Sequence, residues 1–283
     1  MTGRRFETRG PDLRSWGRGA ATLLIALALL FPFYWMLITA LQGEAAVMAY
    51  PPRLWPQEIN LPALLEVFRA TKAGKWLLNT LIVAGVASLV VVPIAALTAY
   101  ALSRFRNRMV SVTAILIVVT QMMPPVLLLV PYFILFRELG LLNGLLGLVL
   151  ANIAWTLPVT AWLMKSAFDA VPQELEEAAM IDGCGRFGAI IRIAVPLAAP
   201  GIAAAGVFAF ISAWDEYFFA RTLISNSDHW LVSVGLGSFT GDYSTSWQHV
   251  MAIATISTLP PALLFIMVQR AFIANLAQGG VKG

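Results

Sequence analysis

Long runs without a charged side chain divide this chain. Marking every Asp, Glu, Lys and Arg leaves six long gaps, at residues 19–43, 76–103, 109–136, 139–164, 193–214 and 243–269. Their lengths are 25, 28, 28, 26, 22 and 27 residues. A helix rising about 1.5 Å per residue needs roughly 20 mostly apolar residues to cross a bilayer. Each gap meets that length. Barrel strands of about 9–11 residues with alternating polarity do not fit runs of this kind. The pattern therefore predicts an all-α polytopic membrane protein with six transmembrane helices.

The first gap follows Arg4, Arg5, Arg9, Arg14 and Arg18. It outlasts the roughly 7–15 apolar residues of a signal peptide. Phe31-Pro-Phe-Tyr-Trp35 near its end suits an interface, so it reads as an uncleaved first span. Orientation follows from Lys and Arg between the spans. With six crossings the termini share one side, and that side carries 13 of the 19 basic residues. They are the five leader arginines, then Arg104, Arg106, Arg108, Lys165, Arg186, Arg192, Arg270 and Lys282. Arg53, Arg69, Lys72, Lys75, Arg137 and Arg221 lie on the other side. The sequence thus predicts a multi-pass protein of the plasma (inner) membrane with both termini cytoplasmic. Residues 1–19 form a cytoplasmic segment, 20–276 the six-helix domain and 277–283 a cytoplasmic tail.

Composition agrees: 59% of the 283 residues are hydrophobic and 12% charged, against about 45–50% and 25% in soluble domains. Mean hydropathy is +0.78. So apolar a chain is not disordered, and a single cysteine, Cys184, excludes a disulfide scaffold. The net charge of +4 sits on span flanks, with no basic stripe interleaved with aromatics. It is a topology signal and not a nucleic-acid footprint.

The inner loop at about 169–196 is the most informative segment. Pro172 suits a helix start, and Glu174, Glu176 and Glu177 sit in early turns that favour negative charge. Leu175, Ala178, Ala179 and Ile181 make a small apolar stripe with no evident partner in the chain. Gly183 and Gly185 stop the helix, and a second short helix over 186–195 precedes the fifth span. A helix lying on lipid carries basic residues on its polar face. This one is acidic, which favours a protein partner.

Glu177-Ala-Ala, three residues, Gly183, nine residues, Ile193, one residue, Val195-Pro196 resembles the EAA loop of ATP-binding-cassette importer permeases, with Val195 in place of the pattern's Leu. Asn79-Thr80, Trp214-Asp-Glu216, Gln269-Arg270 and the tail Gly279-Gly-Val-Lys282-Gly283 resemble the carbohydrate branch, most closely its smaller, maltose-type permease. The resemblance implies a type I importer permease fold. It also implies partners: a second homologous permease, an ATP-binding subunit dimer and an extracytoplasmic solute-binding protein, with membrane lipid around them and a sugar as substrate. The sugar it implies is a di- or oligosaccharide, though relatives in the branch carry polyols or glycerol phosphates. Carried over by position, Glu177, Ala178, Ala179, Asp182, Gly183, Ile193 and Pro196 would dock on the ATPase. ATP and Mg would be bound by that partner, with no cofactor, catalytic residue or metal in this chain. A P-loop needs Gly-x-x-x-x-Gly-Lys-[Ser/Thr]. Lys165-Ser166 is the sole Lys followed by Ser or Thr, and it lacks the glycines.

Asp215 and Glu216, near the outer end of the fifth span, either line the substrate path, brace an outer gate or hydrate at the interface. Gln121 and Asn152 lie deeper, and helix joining is the commoner use of such amides. With Trp214 they complete a candidate path. Trp155, Trp162 and Trp214 either stack on a sugar or anchor at the interface. The outer loop over 221–248, with Asp228, His229, Asp242, Tyr243, Trp247 and His249, is a candidate surface for the binding protein. A secondary transporter is disfavoured because charges avoid the span centres, and an intramembrane enzyme because no nucleophile with a base occurs at depth.

Overall fold

The computed structural model describes residues 13–56, 59, 61–240 and 246–279. Arg4, Arg5, Arg9, Asp242, Tyr243 and Lys282 lie outside them. The described residues form α1 (Leu13–Leu41), α2 (Glu44–Val47), α3 (Leu61–Ala70), α4 (Ala73–Arg104), α5 (Arg108–Gln121), α6 (Pro125–Glu138) and α7 (Leu145–Asp169). These are followed by α8 (Gln173–Ile181), α9 (Arg186–Ala189), a π-helical segment (Ile190–Ala194), α10 (Val195–Trp214) and α11 (Phe218–Leu223). A 3₁₀ turn (Ser227–His229), α12 (Val232–Gly237), α13 (Trp247–Ser257) and α14 (Leu259–Gly279) complete the chain.

Five stretches among the described residues are long and apolar enough to cross a membrane: Gly19–Leu41, Ala73–Arg104, Leu145–Asp169, Arg186–Leu223 and Trp247–Gln269. The window 109–136, expected as one span, is instead the pair α5 and α6, bent by 102°. The cause is Pro124-Pro125. Neither proline has an N–H to continue the helix, and the residue before a proline is driven out of the α region. Pro124 accordingly adopts an extended backbone, with φ −60° and ψ 131°. Each 14-residue half is about 21 Å long, too short for a core of about 30 Å. The sixth crossing is therefore made only if the bent pair counts as one.

The core is a packed trio of α4, α7 and α10. Lipid offers no hydrophobic drive between helices, so close packing of small residues must join them. On α4, Ala84, Ala87, Val91, Ala95 and Ala99 are buried to 1% exposure or less. Their spacing of three or four residues places them on one face. On α10, Gly201 lies so close to α7 that an added Cβ would sit 2.3 Å from the Ala167 Cβ. α1 packs against α13, while Leu23, Leu24, Ile25, Leu27, Leu29 and Leu30 are exposed, as suits a lipid-facing surface.

Candidate functional site

The segment 169–201 folds largely as its sequence predicts. α8 is terminated by Gly183, whose φ of +91° favours a residue without Cβ. The Cys184 N–H donates to Ala179 O (3.0 Å) and the Gly183 N–H to Met180 O (3.1 Å). This is the paired-bond ending that satisfies a helix's last carbonyls. The expected second short helix is not separate. α9 continues through the π segment into α10, so the fifth span begins at Arg186. Pro196 enters the first turn of α10 with the widened π turn before it, while Pro200 lies inside α10.

α8 packs against α9 and the π segment. Glu177, Ala178, Asp182, Gly183 and Pro196 are exposed, and Ala179 and Ile193 half-buried. Around them Leu175, Met180, Ile181, Phe187 and Ile191 leave large apolar surfaces uncovered, Ile181 at 86% exposure.

Glu176 departs from its expected place beside Glu174 and Glu177. It turns inward and is buried to 4% exposure. Arg104, the last residue of α4, meets its Oε1 with Nη2 at 2.7 Å and donates from Nε at 2.8 Å. The Tyr100 hydroxyl donates to Oε2 at 2.7 Å. Arg104 Nη2 also donates to Val171 O (2.9 Å) and Nη1 to Ser103 Oγ (2.9 Å). Ser103 Oγ in turn donates to Asp169 Oδ1 (2.6 Å), whose Oδ2 receives Lys165 Nζ (2.6 Å). The Arg186 guanidinium lies 4.8 Å from the Phe105 ring centre. A polar cleft of about 500 Å³ opens beside this clamp, lined by Ser103, Arg104, Arg106, Lys165, Asp169 and Glu174 among others. In the sequence alone Arg104 enters only the topology count, and Tyr100 carries no expectation. The signal was their spacing of four, which puts ring and guanidinium on one helix face.

At the opposite end of α4 a second set of contacts fastens the segment 225–232. Trp76 Nε1 donates to Ser227 O (2.8 Å), and Asn79 Nδ2 to Asp228 O (2.9 Å) and Trp230 O (3.0 Å). The Val232 N–H donates to Thr80 Oγ1 (2.9 Å). Lys72 Nζ reaches Asp228 Oδ1 at 3.0 Å and Lys75 Nζ at 3.4 Å. These two ammonium groups hold the Asp228 carboxyl below its ordinary range. Asn143, with φ of 61°, accepts the Ser225 N–H on Oδ1 at 2.7 Å. Its carbonyl lies 2.5 Å from the His229 ring Nδ1. Gly235 admits the Trp76 ring, since an added Cβ would stand 2.1 Å from it.

The candidate path residues do not form one lining. Glu216 does not sit exposed at an interface. It is buried and accepts the Phe219 N–H (2.6 Å) and Ala220 N–H (2.8 Å), which caps the start of α11. Trp214 is buried and stacks on Phe210 at 5.5 Å. Asp215 is exposed at the end of α10, and Gln121 is exposed at the end of α5 beside the bend. Asn152 is fully buried, but its Nδ2 donates to Leu148 O of its own helix (2.9 Å) and does not join a neighbour. Its Oδ1 has no hydrogen-bond partner among the described residues. Trp155 packs on Phe219, while Trp162 is exposed.

Residues 91–278 match the family described as binding-protein-dependent transport system inner membrane component. The sulfoquinovosyl glycerol transport system permease protein SmoH of Agrobacterium fabrum is 34% identical, over 96% of this chain and 98% of its own. The trehalose/maltose transport system permease protein MalG of Thermococcus litoralis is 32% identical over 92% and 94%. The diacetylchitobiose uptake system permease protein DasC of Streptomyces coelicolor is 30% identical over 95% and 98%. Among solved structures, a chain of a bacterial ABC transporter involved in alginate import superposes with a TM-score of 0.75. It covers 94% of this chain and 99% of that one at 22% identity, a likeness of fold.

Proposed function

Because the chain belongs to the family of binding-protein-dependent transport system inner membrane components, we propose that it is the permease subunit of an ATP-driven importer of a glycoside. Membership makes it a multi-pass inner-membrane transport component and not an enzyme. In this reading both termini are cytoplasmic, and α8 with the Gly183 turn docks on a separate ATP-binding subunit that holds ATP and Mg. The single observation that carries the docking role is the exposed mixed surface of α8 and α9. Leu175, Ile181 and Phe187 stand uncovered beside Glu174, Glu177 and Asp182, a composition suited to a protein groove and not to anionic lipid. A homologous permease forms the other half of the path, and a solute-binding protein meets the opposite face. Installing Glu177→Lys with Gly183→Asp is expected to abolish ATPase co-purification and ATP-driven uptake while the chain still inserts. Undiminished uptake and capture would dismiss the docking role.

Three relatives are named for sulfoquinovosyl glycerol, trehalose/maltose and diacetylchitobiose, all glycosides, which supports a glycoside here, and the last two names, being those of disaccharides, favour a di- or oligosaccharide. A thermal-shift screen of the cognate binding protein against disaccharides, polyols and glycerol phosphates checks this. Stabilisation by glycerol phosphate or a polyol alone would overturn the glycoside assignment.

A further inference from the structure

The docking helix and the segment 225–232 are fastened to opposite ends of one helix. Tyr100 and Arg104 hold Glu176 of α8 at one end of α4. Trp76, Asn79 and Thr80 hold Ser227, Asp228, Trp230 and Val232 at the other. Between Asn79 and Arg104 runs about 37 Å of helix at 1.5 Å per residue, continuous through Pro93. We propose that α4 is a strut clamped at both ends. It transmits displacement of the docking helix to the 225–232 segment on the far side of the membrane, with Arg104 and Tyr100 as positioning residues for α8. This rests on the docking role proposed above and names how that site communicates.

The clamp is poorly explained by stability alone. Both side chains of the Arg104–Glu176 pair are at most 7% exposed. A pair so desolvated gains little over well-packed apolar residues, and its best-attested use is to fix one geometry. Here it fixes Glu176 while leaving Glu174 and Glu177 outward. The acidic run is thereby divided between a joint to α4 and a face for a partner. Rigid secondary elements whose equilibrium both sites bias can carry such coupling, and α4 is the helix that both sets of bonds share. Its core face of Ala84, Ala87, Val91, Ala95 and Ala99 presents no large side chains to resist a shear against its neighbours.

The test uses the full complex with its partner permease and ATPase in nanodiscs. Ser225→Cys, an exposed position, carries a spin label in a Cys184→Ser background, and ATP with vanadate is the probe. With the clamp intact, the probe is expected to change the label's mobility. In Arg104→Gln with Glu176→Gln, which leaves no buried charge unpaired, ATPase still co-purifies. The label's response is lost and substrate moved per ATP falls at least tenfold. Asn79→Ala is expected to lose the response from the other end, and Arg104→Lys to retain part of it. If the doubly neutral chain does not assemble, Tyr100→Phe removes one hydrogen bond and is expected to lower transport per ATP several-fold. A wild-type response and wild-type transport per ATP in the assembled clamp variants overturn the strut. Failure of the unaltered chain to capture the ATPase removes the docking role itself, and the strut with it.

Discussion

At the residue scale, Glu176 and Glu177 are neighbours in sequence with opposite fates. One is buried against Arg104 and the other exposed. Glu176→Ala leaves the Arg104 guanidinium desolvated without its carboxylate, a loss of about 3–5 kcal/mol for a broken buried pair. Converting both to methionine removes the charges together and is expected to cost far less. Thermal unfolding of the detergent-solubilised variants checks the ordering, and equal destabilisation would contradict it. Asp228 offers a surface contrast, since its partners Lys72 and Lys75 are 46% and 64% exposed. Its carboxyl is depressed in the folded state. The attraction is therefore fully present above the ordinary aspartate value of about 3.9 and is lost as pH falls below it through the folded value. Hydrogen-exchange protection factors in 225–232, which remove the intrinsic pH dependence of exchange, are expected to fall over that acid range. The same bonds are expected to weaken in high salt at neutral pH, and protection indifferent to both would show that these ion pairs do not hold the loop.

At the element scale, charge spacing made five of the spans legible because lipid demands long uninterrupted apolar helices. The same signal was blind to the bend at Pro124, since a broken pair of short apolar helices has the spacing of a straight one. Gly183 was legible because a helix stop at a glycine is local chemistry. The turn of Glu176 toward α4 and of Glu216 onto α11 was not, because each depends on a partner from another element or on a backbone turn that spacing does not encode. Two measurements follow from these elements. Gly183→Ala meets no steric neighbour, so its cost is the backbone strain alone, about 1–2 kcal/mol for the left-handed region. It is expected to weaken ATPase capture without blocking insertion, and unchanged capture would free the turn from the docking geometry. Replacing Pro124 and Pro125 together by alanine removes two strong helix breakers, each about 3 kcal/mol worse than alanine inside a helix. α5 and α6 are then expected to straighten into one helix. Spin labels at exposed Met109 and Leu135 would move apart as the 102° bend opens, whereas an unchanged separation would locate the cause of the bend in packing and not in the prolines.

At the scale of the whole molecule, the bent pair decides the parity of the fold. Five straight stretches alone place the termini on opposite sides of the membrane, and a sixth crossing by α5 and α6 returns them to one side. The distribution of basic residues favours the even number. Arg104, Arg106 and Arg108 before α5 and Arg137 at the end of α6 flank the pair asymmetrically, as expected of a segment that enters from the cytoplasm and leaves outside. If instead the pair were re-entrant, Arg137 would lie on the side of Arg104 and every later loop would change sides. Lys165, Arg186 and Arg192 would then face outward, against the positive-inside rule, and the 225–232 segment would fall on the same side as the leader. The two arrangements are separable with a membrane-impermeant thiol reagent on intact cells. Single cysteines in a Cys184→Ser background at Leu139 and Asn226, both exposed, are expected to react from outside. One at Ile181 is expected to react only after permeabilisation. Labelling of Ile181→Cys in intact cells would reverse the later half of the topology and place the docking surface out of reach of a cytoplasmic ATPase.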